Sequence, residues 1–505
     1  MNSQRKAGAV LGYINVIIKN LVNLLYTPMI LAFVGQGDYG VFQTANNFIV
    51  SLQLLTFGFS GAYVRFYMQR VTVGDEVGIR KLNGMYLLLY LGICIIAVAL
   101  GFAFVFSCGS LFAESFTSNE VNLASAVMTV LTFNVATTLL STVFDAYIVA
   151  HERFAFQQTR QMFTTLATPG LALCLLAAGM GVVGVAASQL AVNLILLALN
   201  AHYAIAKLGM RFVLRGLDGA LFKSVAAFSG WLFLNQVFDL VTMNVPSVIL
   251  AAVSGTTAVA VFAIATSLRA VFYSLSTTVS GLFVPLVNRI VAESDDNRAL
   301  TGIMIRVGRY QALMLWWVLG GFAVVGRWFV SIWAGPEYSD AYWYTLVMVI
   351  AVSAPLVQNT GIEIQKAKNR HKARSFVYLC ASLIDLAVTF AMAHLIGAWA
   401  AVFGYVLYLV LGSWLFMNWY YHCRIGLDMI LFWKRLLPVI AACVIPAAVC
   451  IVGTVIFPVT GALEFLIWGV IYTCLCGALQ WRFALNDDEK SQFRQLLTKL
   501  KKKES

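Results

Sequence analysis

The sequence predicts an all-α polytopic membrane protein of about fourteen transmembrane helices: two pseudo-symmetric six-helix lobes plus two C-terminal helices, with both termini cytoplasmic. Three observations predict it. Hydrophobic residues make up 61% of the 505 residues and charged residues only 11%, against about a quarter charged in a soluble domain. Apolar runs of the length a bilayer requires, about 20 residues, follow one another with short connections and leave no room for a soluble domain. Positive charge is confined almost entirely to alternate connections.

The first apolar run starts near Leu11, after a polar stretch carrying Arg5 and Lys6. It is too long for the apolar part of a signal peptide and lacks a small-residue cleavage site, so it reads as a retained helix. Spans are predicted at 12–34, 40–64, 84–107, 121–149, 161–179, 183–203, 224–253, 259–287, 310–333, 341–365, 375–395, 399–420, 437–457 and 463–481. The segments on one side (1–11, 65–83, 150–160, 204–223, 288–309, 366–374, 421–436 and 482–505) hold 31 of the 34 Lys and Arg residues. Those on the other side hold none, and carry Asp38, Glu114, Glu120, Glu337 and Asp340. Lys/Arg-rich connections stay in the cytoplasm, which places both ends inside. The same pattern shows that the net charge of +12 belongs to membrane topology and not to a nucleic-acid surface.

The chain contains a repeat. Gly12-Tyr13 and Pro28 in the first span recur as Gly230-Trp231 and Pro246 in the seventh, and the loops after the fourth and tenth spans correspond, each following an acidic residue, Asp145 and Glu363. The offset is 218 residues each time. The natural partition is an N-lobe over 1–215, a C-lobe over 216–422, two extra helices over 423–481 and a cytoplasmic basic amphipathic tail over 482–505. Both halves start on the same side, so the repeat is parallel and predicts a pseudo-two-fold axis along the membrane normal with a cavity between the lobes. In the tail, Phe493, Leu496, Leu497 and Leu500 recur at helical spacing among Lys499 and Lys501 to Lys503. This suits contact with anionic headgroups or a solvated basic helix, and both readings stay open. The nine cysteines are scattered through apolar runs without a CxxC pair, and read as small buried hydrophobes.

Three cations fall outside the cytoplasmic segments. Arg327 lies near the outer end of its span and can snorkel. Lys19 and Arg269 lie near mid-span, where a charge costs about 2.5–3.5 kcal/mol and normally faces a cavity or a partner. Asn15, Lys19, Asn23 and Tyr26 share one helix face; Thr266, Arg269, Tyr273, Ser276 and Ser280 share another. Gln43, Asn46, Asn47 and Gln53 form a third polar stripe, and Asn235, Asp239 and Thr242 a fourth. Four polar stripes, in the first two spans of each lobe, are what an aqueous cleft requires; mutual pairing, such as Lys19 with Asp239, is the alternative. The acids within spans are Asp145, Asp239, Glu363 and Asp385. A carboxylate that burial keeps protonated can couple transport to an ion, H+ or Na+ here; a permanent ion pair is the plainer reading of each. The sequence shows no nucleotide-binding loop, metal motif or catalytic triad, so neither a cofactor nor a metal is expected. The longest outer segment, 108–120, is too short to hold an external active site. These features predict a transporter and not an enzyme.

The stretch Tyr26-Thr-Pro-Met-Ile-Leu-Ala-Phe-Val-Gly-Gln-Gly-Asp-Tyr-Gly-Val-Phe, with Phe57-Gly-Phe-Ser-Gly-Ala-Tyr-Val-Arg65-Phe-Tyr, resembles the start of Wzx-type polysaccharide flippases. These belong to the multidrug/oligosaccharidyl-lipid/polysaccharide (MOP) exporter superfamily. His151-Glu-Arg-Phe also resembles that family's short loop after the fourth span. The resemblance spans the chain in topology and is concentrated locally in residues 8–70. It implies a substrate, an oligosaccharide on undecaprenyl pyrophosphate, flipped from inner to outer leaflet of the bacterial inner membrane for O-antigen, lipopolysaccharide or capsule synthesis. Membrane lipids and other glycan-assembly membrane proteins are the implied partners, and no nucleic acid. The relatives place cations on the first, second and eighth helices of a central cavity. Lys19 and Arg269 match the first and eighth, whereas the second span has Gln53 mid-membrane and Arg65 only at its inner end. Helices 437–481 would offer a groove to the lipid tail, as in related lipid II flippases. On this reading Lys19 and Arg269 hold the pyrophosphate, and Asn15, Asn23, Asn46, Asn47, Gln53, Asn235 and Tyr273 complete the substrate-binding set. The competing expectations are a cation-coupled multidrug exporter of the same superfamily, a membrane-embedded polysaccharide polymerase or ligase, and a non-transporting scaffold.

Overall fold

The computed structural model describes residues 3–56, 59–112, 115–215, 219–281, 283–368, 370, 372–487 and 489–491. The side chains described exclude 3–10, 13, 17, 60–61, 65, 220–221, 226–243, 284–285, 288, 292 and 372. Among the described residues there is no strand. The helices are α1 (Ser3–Ser51), α2 (Phe59–Thr72), α3 (Glu76–Leu111), α4 (Ser118–Ala150), α5 (Phe154–Ala177), α6 (Gly181–His202), α7 (Gly219–Gly281) and α8 (Val284–Glu293). There follow α9 (Asn297–Trp333), α10 (Asp340–Val357), α11 (Asn359–Ala367), α12 (Lys372–Ile396), α13 (Trp399–Leu409), the short α14 (Asn418–Tyr420), α15 (Met429–Ile456) and α16 (Ala462–Leu479). In lipid every backbone N–H and C=O must be paired within its own segment, and long helices are how an apolar chain does so. Side-chain caps mark several starts. Asp75 Oδ1 accepts from Gly78 N at 2.8 Å, Thr117 and Glu120 form a reciprocal capping box, and Asp428 Oδ1 accepts from Leu431 N at 2.9 Å.

Among the described residues, eleven stretches are long and apolar enough to cross a membrane, so the chain is a multi-pass membrane protein. One of them, Ile14–Thr56, carries two of the expected spans, because α1 turns at Gly35 (φ 73, ψ 176). The expected span 161–179 falls on α5 without being among the eleven, and of 224–253 only the part from Asn244 lies in one of them, Asn244–Gly281. The conformation at Gly35 recurs in α7 at Gly255 (φ 81, ψ 179). Only glycine adopts it readily; a side chain there costs about 1–3 kcal/mol. The two turns therefore sit 220 residues apart, beside the repeat offset of 218. The tail helix expected from Phe493, Leu496, Leu497, Leu500, Lys499 and Lys501 to Lys503 lies outside the described residues.

The chain divides into two compact units: residues Met1–Ala263 with Leu386–Ala401, and residues Ile264–Asp385 with Val402–Ser505. In the first, α4 packs against α3, α6 and α1, and α1 against α5. The segment after α6 straps α3: Val213 N donates to Arg80 O at 3.0 Å, and Asn83 Nδ2 to Arg211 O at 3.0 Å. Gly84 permits this approach, since a Cβ there would stand 2.1 Å from Val213 O. In the second unit α9 is the hub, contacting α10, α15 and α16. Tyr472 of α16 seats on Gly320 of α9, where a Cβ would lie 2.1 Å from its hydroxyl oxygen; small residues let membrane helices close up in this way. The thiols of Cys443, Cys450 and Cys476 are buried between α9, α15 and α16.

One ion pair ties the end of the chain to this hub. Arg309 of α9, 3% exposed, donates through Nε to Glu489 Oε1 at 2.8 Å and through Nη2 to Glu489 Oε2 at 2.6 Å. Its remaining donors reach the carbonyls of Arg435 and Ala484, both at 2.6 Å. Burial pushes the Glu489 carboxyl up, but the hydrogen bonds from Arg309 and the Asn486 amide, with the Arg309 charge, outweigh it and hold the group below the usual carboxylate range. The stabilisation is therefore present above the unfolded carboxyl's ordinary value, about 4.3, and is lost as pH falls through the lower folded value. Glu489→Gln leaves the Arg309 charge buried without its counter-ion, which costs about 3 kcal/mol. We expect a lower thermal midpoint for the purified variant at neutral pH, with the gap to the parent narrowing under acid; thermal unfolding in detergent across pH measures both.

Candidate functional site

In the first unit the predicted α1 face splits. Lys19 and Asn23 are exposed, but Asn15 is buried and its Oδ1 accepts from Thr165 Oγ1 of α5 at 3.3 Å. Asn15 thus belongs to the α1–α5 contact. Beyond the Gly35 turn, Asn46 and Asn47 are half-buried, Gln53 is exposed, and Gln43 donates to Tyr39 Oη at 2.7 Å. Asn235, Asp239 and Thr242 lie on α7, but their side chains are outside the described residues, and so is any pairing of Lys19 with Asp239.

In the second unit Arg269 is 5% exposed, and its guanidinium lies over the ring of Tyr405, 4.1 Å from the centroid. Such a contact contributes about 2 kcal/mol when desolvated. Nη1 also approaches Met348 Sδ at 3.7 Å, and the hydroxyls of Tyr405 and Tyr273 are 3.0 Å apart. Asp385, in the same unit, is fully buried. The structure therefore gathers Arg269 and Tyr273 around Tyr405. One turn further along, Ser276 Oγ donates to Leu356 O at 2.7 Å and accepts from Gln311 Nε2 and Asn359 Nδ2, both at 3.0 Å. Glu363 pairs with Lys366 at 2.8 Å on the surface of α11.

Asp145 pairs with Arg160 Nη2 at 2.7 Å, and Arg160 Nη1 donates to Asn200 Oδ1 at 2.7 Å. Asn200 Nδ2 continues to Ser141 Oγ at 2.8 Å; higher up, Asn193 Nδ2 donates to Asn134 Oδ1 at 2.7 Å and Asn134 Nδ2 to Gln189 Oε1 at 3.4 Å. These groups form a polar ladder joining α4, α5 and α6, beside a cavity of about 230 Å³ lined by Ser141, Thr142, Asp145, Arg160, Gln161 and Asn200. The sequence reading missed this ladder. Asn134, Ser141 and Asp145 share a helical face, as do Gln189, Asn193 and Asn200, and that spacing is its signal. Arg160, expected in a loop, belongs to α5 because the helix begins at Phe154, and Arg309 likewise belongs to α9.

The loop after α4 holds His151 between Tyr67 and Tyr147. Its Nε2 lies 3.1 Å from Tyr67 Oη, and its Nδ1 lies 2.9 Å from Tyr147 O. Burial pushes the imidazole below its usual value; the Tyr147 carbonyl opposes this, and the Arg153 charge adds to it.

The helical fold is similar to that of several solved membrane transporters. It superposes on lipid II flippase MurJ in an inward closed conformation with a TM-score of 0.72 at 11% identity, covering 94% of this chain and 97% of that one. A multidrug resistance MATE family transporter of the MOP superfamily, inward-facing, gives 0.64 at 13% identity over 84% and 95%. A MOP superfamily transporter from Pyrococcus furiosus, described as having a binding pocket of reversed polarity, gives 0.55 at 15% over 87% and 97%. Residues 31–343 match the model of the polysaccharide biosynthesis protein family, and the chain belongs to that family. No curated protein matches it significantly in sequence.

The folded pKa of His151 lies below the unfolded one, so the unfolded chain binds its proton more readily. Stability from this group is present above about pH 6.5 and lost as pH falls through the depressed value. Between about pH 7.5 and 5.5 the thermal midpoint of the parent should therefore fall further than that of His151→Gln; equal slopes would remove His151 from the account.

Proposed function

We propose that this chain is a flippase for lipid-linked oligosaccharide, moving an undecaprenyl-pyrophosphate-linked glycan from the inner to the outer leaflet of a bacterial inner membrane, with both termini cytoplasmic. The observation that carries this reading is the family match over 31–343 in a chain with the MOP transporter fold. The chemistry of the polar residues supports it. A lipid-linked sugar brings a pyrophosphate, hydroxyls and a long apolar tail. Lys19 and Arg269 are the cations for the pyrophosphate; Asn23, Asn46, Asn47, Gln53 and Asn235 are the groups for sugar hydroxyls, with Tyr273 supporting Arg269 through Tyr405. Asn15 assists by holding α1 against α5. Asp145 and Glu363 are neutralised by Arg160 and Lys366, so coupling to H+ or Na+ falls to Asp385 or Asp239. Exposure of the headgroup site to each side in turn completes the cycle.

The likeness to a multidrug resistance transporter carries the second reading, export of cationic compounds. Lys19 and Arg269 oppose it, because they would repel such cargo. Cells lacking this protein decide between the two. We expect undecaprenyl-linked oligosaccharide to accumulate on the inner leaflet and the surface polymer to be lost. Re-expressed at parental levels, Lys19→Ala or Arg269→Ala should lower surface polymer about tenfold, the loss of one charge-assisted contact. An unchanged glycan pool with heightened sensitivity to cationic drugs would favour the exporter instead.

A further inference from the structure

On the Lys/Arg-rich side of the second unit, three chain segments meet around a polar cavity of about 410 Å³. They are the turn between α8 and α9, the end of α11, and the segment between α14 and α15. Among the described residues, Lys368, Arg370 and Arg424 line it with one carboxylate, Asp295. The arrangement is built and not loosely assembled. The Lys368 side chain is 8% exposed and its Nζ is held at 2.7 Å from Asp295 Oδ1 and 2.7 Å from Asn297 Oδ1. Asp295 reaches it from a left-handed backbone conformation, φ 46, uncommon for a residue with a side chain. Gly426, at φ 85, lets its loop close on Asn297, whose Nδ2 would stand 2.5 Å from a Cβ at that position. Arg370 Nη1 donates to the Arg424 carbonyl at 2.5 Å, and Tyr420 Oη to the Arg370 carbonyl at 3.1 Å.

Among the described lining residues the one carboxylate balances Lys368, and the guanidinium charges of Arg370 and Arg424 are in excess of it. That excess selects an anion, and paired guanidinium forks suit phosphate oxygens. The neighbouring aromatics set its level in the membrane. Trp414 and Trp419 are exposed, Trp414 stacks on Trp433 with centroids 5.9 Å apart, and Arg424 lies 5.9 Å above the Trp419 ring. Exposed tryptophans mark the depth of the lipid headgroups. We propose that this cavity is a binding site for the phosphate ester headgroup of an anionic membrane lipid. The source of that phosphate is either a bulk phospholipid or a polyprenyl pyrophosphate carrier, and the chemistry of recognition is shared. The site stands whether or not the chain moves lipid-linked sugar.

Native mass spectrometry of the purified full-length protein tests it, with dioleoylphosphatidylglycerol, dioleoylphosphatidylcholine and undecaprenyl pyrophosphate added separately. The parent should retain at least one of the two anionic lipids about tenfold better than phosphatidylcholine. Arg424→Gln should remove most of that preference, and so should Arg370→Gln. Lys434→Gln, an exposed cation outside the cavity, should leave it intact. Retention of phosphatidylglycerol alone assigns the site to bulk lipid, and retention of undecaprenyl pyrophosphate alone assigns it to a carrier. Equal retention of all three lipids overturns the proposal. So does a preference unchanged by Arg424→Gln, or one reduced as much by Lys434→Gln.

Discussion

Charge in hydrocarbon is expensive, and this cost shapes the molecule at every scale. It confines nearly all Lys and Arg residues to alternate connections between the predicted spans. It forces the backbone into helices whose polar groups pair internally. Among the described residues, several charges within helices are held by partners. Arg309 has a carboxylate and two carbonyls, Arg160 a carboxylate and an amide, and Arg269 a tyrosine ring. Lys19 is exposed on α1, and its expected pairing with Asp239 lies outside the described residues.

The fold was largely legible because hydropathy and charge act along the chain. The apolar runs mark where the helices lie, and the motif spacing of 218 residues foreshadows the paired glycine turns at Gly35 and Gly255. The site was legible in part. Helical periodicity tells which residues share a face, but not which helix covers that face. Asn15 and Lys19 are four residues apart, yet one is covered by α5 and the other is not. Long-range partners were out of reach for the same reason. Nothing local in the sequence couples Arg309 to Glu489, 180 residues away, or Arg269 to Tyr405. Arg160 and Arg309 fall in predicted loops because the helices extend past the point where hydropathy declines.

The polar ladder of α4, α5 and α6 and the Tyr405 cluster show two ways to keep polar groups in a membrane helix bundle. The ladder consists of amides, hydroxyls and one ion pair satisfying each other, which holds three helices in register. The Tyr405 cluster brings a cation and two phenols together. The first satisfies each group by hydrogen bonds and an ion pair. The second sets a buried guanidinium over an aromatic ring.

The central claim is that the chain moves an anionic lipid-linked saccharide across a bilayer. The most direct measurement is translocation in liposomes containing the purified protein, following a fluorescent saccharide on undecaprenyl pyrophosphate with a membrane-impermeant quencher. The account predicts protein-dependent movement between leaflets that is impaired in Arg269→Ala. No movement of that lipid by the well-folded protein, with transport of a cationic dye in its place, would contradict it.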